Sequence, residues 1–272
     1  MKFNLAIAGI FKDENAYIQE WIEFHRIVGV DHFFLYDNDG GSEARNLLEP
    51  YERAGIVSRQ NWLHLDGTRY DRPKRVGRDK NHMAFGHAAK EHRNECRWLL
   101  KIDIDEFLLP HKGNQISEIL EGYDRDRIKG IRIPRIDFGH SGHRARPPGL
   151  VTQSYLQRET QPSNYKELAN TNFLSNNNWA NSAHHWSYRW SRGAQRVDWS
   201  EVRDMWICHY YTKSLEESME RSSHGPQRPK TPEQWEERNA TRNEVHDETM
   251  LDFGEEIRRR IAYVTKEKRP VE

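Results

Sequence analysis

The chain has 272 residues, enough for one large α/β domain or two small ones with a sizeable core, and one domain with a tail is the expectation. Hydrophobic residues make up 35% and charged ones 31%, yet the apolar residues gather in runs, which excludes a disordered chain. Forty-two basic residues balance forty-two acidic ones, so no global field holds nucleic acid or an anionic membrane.

Leu5 to Ile10 is a continuous apolar run that suits a strand buried on both faces of a parallel sheet. It meets Lys12, Asp13 and Glu14 at once, which is too early for a secretory signal. From Tyr17 to Val28 apolar residues recur at helical spacing, with Gly29 placed as a cap. His32 to Tyr36 reads as a second strand, ended by Asp37-Asn38-Asp39-Gly40-Gly41. Ser42 can cap a helix running towards Gly55, and Ile56-Val57-Ser58 offers a third strand. This β-α-β-α-β order predicts a parallel sheet whose ligands bind outside the carboxyl ends of its strands.

A polar, basic loop over Asp66 to Lys80 precedes a helix from about Asn81 to Glu95. Trp98 to Leu109 is apolar on both sides of an acidic centre, Asp103-Ile104-Asp105-Glu106. Ile131 to Ile136 is a further strand, with Pro134 favouring an edge or a bulge, and Met205 to Tyr210 is the last. Pro147 to Trp199, rich in Asn, Ser, His and Trp, predicts strands and long loops around a site, and the Glu/Arg pattern from Glu233 to Arg260 predicts solvated helices. Cys96 and Cys208 are too few for a disulfide framework and read as buried thiols. No segment reaches the roughly 18 apolar residues of a membrane span, so the chain reads as soluble and cytoplasmic, without a transmembrane segment.

Two carboxylates one residue apart at the end of a buried strand need a cation or a hydrogen-bond network to offset their desolvation. Where the strand frays into a turn, Asp103 and Asp105 can both face the crevice, and oxygen ligation suits Mn2+ or Mg2+ that keeps part of its shell for phosphates. Such a cation would neutralise charge growing on a departing diphosphate. The plainer alternative is that Asp103, Asp105 and Glu106 cap a turn or pair with nearby Arg and Lys.

Three blocks carry a more specific signal: Lys12-Asp13-Glu14-Asn15-Ala16-Tyr17-Ile18-Gln19-Glu20-Trp21 with its continuation to Tyr36-Asp37-Asn38; Trp98 through Asp103-Ile104-Asp105-Glu106-Phe107; and His209-Tyr210-Tyr211-Thr212-Lys213-Ser214. In order and spacing they resemble glycosyltransferase family 92 and the related family-2-like GT-A enzymes, over residues 5 to 214. The resemblance implies a GT-A fold, a Rossmann-like α/β domain with a mostly parallel central sheet flanked by helices. It would occupy residues 1–214, with a charged helical extension over 215–272 packed on it.

The resemblance also implies transfer of a hexose from a nucleotide sugar, usually a UDP-sugar, to a glycan or other hydroxyl acceptor with inversion, as in polysaccharide biosynthesis beside a membrane-associated assembly system. Residue by residue, Lys12 and Glu14 would line the nucleotide pocket, and Asp37 with Asn38 would approach the base or ribose. His209 would join Asp103 and Asp105 as a third metal ligand, and Lys213 would reach the diphosphate. Lys12 and Glu14 can equally form an exposed ion pair worth little. Trp21 and His25, one turn apart, read as securing their helix.

Inversion needs a general base near the acceptor hydroxyl. Asp137, Glu106, and the pair His184 and His185 are the candidates, although family members often carry a neutral residue at the position of Asp137. Trp179, Trp186 and Trp190 can stack on sugars or belong to a core. The chain departs from the family after Asn38, where Asp39-Gly40-Gly41-Ser42-Glu43 replaces Ser and then Asp, and at Asn81, where Gln is common. A phosphohydrolase of the haloacid dehalogenase type would place its Asp-x-Asp on the first strand and want Thr or Val where Phe107 stands. A carbohydrate-binding module would need neither the acidic triplet nor the block from His209 to Ser214.

Overall fold

The computed structural model describes residues 1–38, 41–62, 80–111, 115–123, 126–175, 184–221 and 228–266. Asp39, Gly40, the expected loop up to residue 79 and Trp179 lie outside the described residues.

The first five elements follow the apolar pattern: β1 (Phe3–Phe11), α1 (Ile18–Ile27), β2 (His32–Asp37), α2 (Gly41–Arg53) and β3 (Val57–Asn61). Next come α3 (Lys80–His92), β4 (Cys96–Lys101), β5 (Glu106–Pro110), α4 (Ile116–Glu121), β6 (Ile128–Asp137) and the short α5 (Val151–Ser154). The chain closes with β7 (Gln157–Arg158), β8 (Asn164–Asn170), β9 (Gln195–Val197), β10 (Met205–His209), α6 (Leu215–Glu220), α7 (Pro232–Asn239), β11 (Val245–His246) and α8 (Gly254–Lys266).

One sheet carries the order β3-β2-β1-β4-β8-β6-β10-β5, with β9 also paired to β6. β1 pairs in parallel with β2 and β4, β2 with β3, and β6 with β9 and β10, while β8 and β5 run the other way. The expected mostly parallel sheet flanked by helices is therefore present.

The apolar runs are buried on both faces, as their continuity predicts. Leu5, Ile7, Phe33, Leu35, Trp98 and Leu100 point into a large core that also takes Ile18, Trp21, Leu48 and Ile257 from helices. Ala6, Ala8, Phe34, Tyr36 and Leu99 point into a second core completed by Ala84, Phe85 and Ala88 of α3. Alternation along each strand thus feeds two layers of helix.

Two local features position the site. The acidic centre is a turn: β4 ends in the middle of the sheet, and β5 resumes at its edge, antiparallel to β10. Trp21 and His25 hold the start of β5, because Trp21 Nε1 donates to the Glu106 carbonyl (2.7 Å) and the Leu108 amide donates to His25 Nε2 (3.0 Å). His25 Nδ1 in turn donates to the Trp21 carbonyl at 2.8 Å. The pair secures its helix, as expected, and also ties that helix to the acidic turn.

Burial pushes the His25 imidazole down to about 3. A histidine in the unfolded chain titrates near ~6.5. Between these values the unfolded state binds the extra proton, so stability falls as pH drops from about 6.5 towards 3. His25→Gln, which keeps an acceptor for Leu108 but does not titrate, should flatten the dependence of the urea midpoint on pH between about 6.5 and 4. An unchanged slope would count against this origin.

The expectation for Pro134 needs correction, because β6 is an interior strand with β8 on one side. On its other side β9 covers residues up to Ile131 and β10 begins opposite Arg135, so Pro134 lies in the interval that neither partner reaches. A missing N–H is tolerated there.

Cys96 and Cys208 are buried free thiols, as their number suggested. Among the described residues no helix is long and apolar enough to cross a membrane.

Candidate active site at the carboxyl edge of the sheet

Strands β1, β2, β4, β6 and β10 all end on one edge, and there the chain gathers its charged side chains. The turn after β4 delivers Asp103, Asp105 and Glu106. Asp137 ends β6, and His209 opposite it ends β10.

Asp105 is 3% exposed. Its Oδ1 lies 3.6 Å from His209 Nε2, and its Oδ2 lies 3.4 Å from Arg221 Nη2 and 3.5 Å from Arg228 Nη2. Burial alone would raise its pKa, but His209, Arg221 and Arg228 hold it well below the usual carboxylate range. Asp103 is half-buried at the rim and receives Lys166 Nζ at 2.9 Å. Burial raises and Lys166 lowers its pKa, with a net depression.

Glu106 is fully buried and committed: Oε2 accepts from Lys166 Nζ (2.7 Å) and from the Asp103 amide (3.0 Å), and Oε1 faces Arg135 Nη1 at 3.5 Å. Asp137 is equally committed. Its Oδ1 accepts from His209 Nδ1 (2.8 Å) and faces Arg135 Nε (3.3 Å), and its Oδ2 accepts from Arg242 Nε (3.0 Å) and Nη2 (2.9 Å). Against the upward push of burial, His209, Arg135 and Arg242 keep the Asp137 carboxyl well below the usual range.

Both carboxylate candidates for a base, Glu106 and Asp137, therefore stand among several charged partners. Gly139, two residues on, lets the neighbour of Asp137 approach: a Cβ there would lie 2.3 Å from the Arg242 carbonyl oxygen.

The block around Lys12 divides. Lys12 is exposed, whereas Glu14 is 5% exposed and pairs with Arg221 Nη2 (2.5 Å) and Lys213 Nζ (3.7 Å). The surface Lys12–Glu14 pair is thus replaced by a buried link to the far end of the chain. Asp37 ends β2 opposite Phe11, the Asn38 amide donates to the Phe11 carbonyl at 2.9 Å, and Asp37 takes Arg59 Nη1 at 3.0 Å.

Lys213 is buried under Tyr17, its ammonium 3.6 Å from the ring centroid, and burial lowers its pKa against the pull of Glu14. Behind it Glu217 accepts from Tyr17, Tyr155 and Ser214. Asp13 (φ 55°) and Lys213 (φ 50°) adopt left-handed backbone, a strain of about 1–3 kcal/mol each that tends to collect at functional sites.

His184 Nδ1 donates to the Tyr165 carbonyl (2.8 Å), and burial, then Lys166, push its imidazole down to about 4. His185 contacts the Tyr165 hydroxyl. Trp186 is a core residue at 2% exposure, and Trp190 stands 86% exposed, so the two do not form one sugar platform.

Sequence reasoning missed Lys166, Arg135, Arg221, Arg228 and Arg242. Arg135 shares β6 with Asp137, while the other four reach the acids from distant parts of the chain, where no local spacing announces them. Residues beyond 214 therefore enter the site directly.

Among the described residues no three His, Cys, Asp or Glu side chains already converge on one metal position. Two donors do face each other. His209 Nδ1 faces Asp137 Oδ1 at 2.8 Å, and its Nε2 faces Asp105 Oδ1 at 3.6 Å. A carboxylate and an imidazole are donors that suit a divalent ion, while Asp103 at the rim is engaged by Lys166 Nζ at 2.9 Å.

The model of glycosyltransferase family 92 matches residues 2–261. The chain is 31% identical over 187 residues to a glycosyltransferase family 92 protein of Oryza sativa subsp. japonica, covering 67% of this chain and 29% of that protein. A glycosyltransferase family 92 protein of Arabidopsis thaliana is 28% identical over 204 residues, covering 70% of this chain and 32% of that protein. A galactan beta-1,4-galactosyltransferase of A. thaliana is 32% identical over 111 residues, covering 39% of this chain and 21% of that protein. The chain spans less than a third of the length of these curated relatives.

Proposed function

Because the chain belongs to glycosyltransferase family 92, we propose that its charged edge transfers a hexose from a nucleotide sugar, of the UDP class, to a hydroxyl of a glycan, with inversion at the anomeric carbon. The observation that carries this reading is the convergence of Asp105 and His209 beside three cations, the buried Lys213 and the half-buried Arg221 and Arg228, at the carboxyl ends of the strands. Acids to hold a divalent ion and bases to hold phosphate lie side by side.

Asp105 and His209 would hold Mn2+ or Mg2+, with Asp103 at the rim. When bound, the ion would neutralise negative charge on the departing diphosphate. Asp137 fixes the His209 tautomer and orientation through Nδ1, as an outer-shell carboxylate does. Glu106 and Lys166 set the acidic turn. Lys213 supplies a point charge on the phosphate side, and Glu14 anchors that side of the site. Asp37 and Asn38, at the end of β2, suit the base or ribose.

The galactosyltransferase likeness makes UDP-galactose the first donor to assay. A panel of nucleotide sugars, assayed for release of the nucleoside diphosphate with Mn2+, with Mg2+ and with EDTA, tests the reading. Cation-dependent release from one donor is expected. Absence of release from every donor, together with absence of nucleotide binding, would sink it.

A further inference from the structure

The interval in β6 between the reach of β9 and that of β10 opens onto a cavity of about 420 Å3, with Pro134 in its wall and Trp206 of β10, Trp199 and Pro162 around it. Both tryptophans are half-buried. Trp206 packs on the core, and the Trp199 ring lies 6.3 Å from that of Tyr165, over which Arg132 sits at 4.8 Å. Trp199 is also fixed through its backbone. Asp198 Oδ1 accepts from the Ser200 amide (3.2 Å) and hydroxyl (2.9 Å), the Asp198 amide donates to Glu201 Oε1 (3.2 Å), and Arg132 Nη1 holds Asp198 Oδ2 at 3.3 Å. An aromatic side chain held in this way loses little freedom when a ligand stacks on it.

Polar groups accompany the rings. Gln161 and Arg203 are exposed, and Ser200 Oγ, having given its proton to Asp198, keeps lone pairs for a donor. Among the described residues that line the cavity none is acidic and Arg203 is the one charged side chain, so the chemistry suits a neutral occupant. The volume falls within the ~300–1,000 Å3 of small-molecule sites, which is more than an ion needs. Flat indole and proline surfaces edged by an amide, a hydroxyl and a guanidinium match a pyranose, which has an apolar C–H face and a rim of hydroxyls that both donate and accept.

The cavity is tied to the charged edge. Gln161 and Pro162 belong to the turn between Glu159 and Ser163, which Glu159 fastens to Asp137. The Asp137 amide donates to Glu159 Oε1 (2.8 Å), the Glu159 amide to the Asp137 carbonyl (3.0 Å), and Ser163 Oγ to the same Oε1 (2.9 Å). Pro134 precedes Asp137 on β6 by three residues, about 10 Å along a strand. In the sheet order β6 and β10 lie beyond β4 from β2, whose end suits the base or ribose, so the cavity belongs to the half of the sheet away from the nucleotide. Resting on the transferase reading, we propose that this cavity binds a non-reacting sugar of the acceptor, well along the chain from the reacting hydroxyl, and thereby selects an oligosaccharide over a short acceptor. Trp199 and Trp206 supply the stacking surface, and Gln161, Ser200 and Arg203 meet the hydroxyls.

Calorimetry without nucleotide or metal, on the whole chain and on Trp199→Ala, tests this with neutral hexose oligosaccharides from disaccharide to pentasaccharide. A proline-rich peptide joins the panel, because tryptophan-lined grooves also take polyproline helices. The parent is expected to bind an oligosaccharide, and Trp199→Ala to bind it at least roughly tenfold more weakly, a loss of about 1.4 kcal/mol. In the transfer assay the preference for the pentasaccharide over the disaccharide, read as a ratio of kcat/KM, should fall by a similar factor, whereas general damage would lower both and leave the ratio. Thermal melting monitors the fold. Should Trp199→Ala fail to fold, Gln161→Ala carries the test, and affinity equal to the parent's would overturn the proposal. Binding of the peptide alone, binding of no oligosaccharide, oligosaccharide binding that Trp199→Ala leaves unchanged, or an unchanged ratio also overturns it. The calorimetric outcomes involve no donor, so the transferase reading is decided separately by the nucleotide-sugar panel.

Discussion

Asp105→Asn is expected to lower release of nucleoside diphosphate by at least roughly a thousandfold, because the substitution removes the carboxylate proposed to hold the metal and the counter-charge of two guanidiniums together. Asparagine keeps the shape of the side chain, so packing of the turn against the core should survive. Stability should nevertheless fall by about 3 kcal/mol, since Arg221 and Arg228 lose one of their buried partners. Nucleotide release and a denaturant titration read the two effects separately. Turnover within tenfold of the parent would remove Asp105 from the mechanism, whatever the stability does.

The second large effect concerns Asp137. If it positions His209, Asp137→Asn should raise the Mn2+ concentration needed for half-maximal turnover by roughly 10- to 100-fold, as outer-shell substitutions do. A base would behave differently, with kcat collapsing and the metal requirement unmoved. The same variant has a signature in acid. In the folded chain His209, Arg135 and Arg242 depress the Asp137 carboxyl below its unfolded value of about 3.9. Its contribution to stability is therefore present above about pH 4 and is lost as pH falls through the folded value. Asp137→Asn should be less stable at neutral pH and lose less on acidification below about pH 4, measured as urea midpoints across that range.

Much of this edge was readable from local pattern. Strands buried on both faces announce themselves as unbroken apolar runs, and Phe3–Phe11, His32–Asp37 and Cys96–Lys101 fall where those runs lie. The acidic turn was readable because carboxylates at the end of such a run are unusual, and His25 because it shares a helical face with Trp21. Pro134 misled, since proline suggests an edge and nothing local reveals that β9 hands over to β10 around it.

The cations were beyond reach for a related reason. Lys166 sits in the ordinary-looking strand Asn164–Asn170, and Arg221, Arg228 and Arg242 sit among solvated charges after residue 214. A side chain's partner 60 to 200 positions away leaves no mark on spacing. The partners of Asp137 and Glu106 were hidden for the same reason, since most of them are supplied only by the folded sheet. The division at residue 214, drawn where the composition shifts, likewise separates residues that share one site.

That shared site has a consequence for how the molecule comes into being on the ribosome. The carboxylates of Glu14, Asp103, Asp105 and Glu106 emerge in the first part of the chain, whereas Lys213, Arg221, Arg228 and Arg242 emerge in the last part. Until those late residues leave the exit tunnel, a nascent sheet would have to bury Glu14 and Asp105 without these cationic partners, which opposes its closure. The C-terminal arginines thereby act as the final stitch of a vectorial process: a chain released early should remain open and be cleared by proteases, and would not persist as a smaller enzyme.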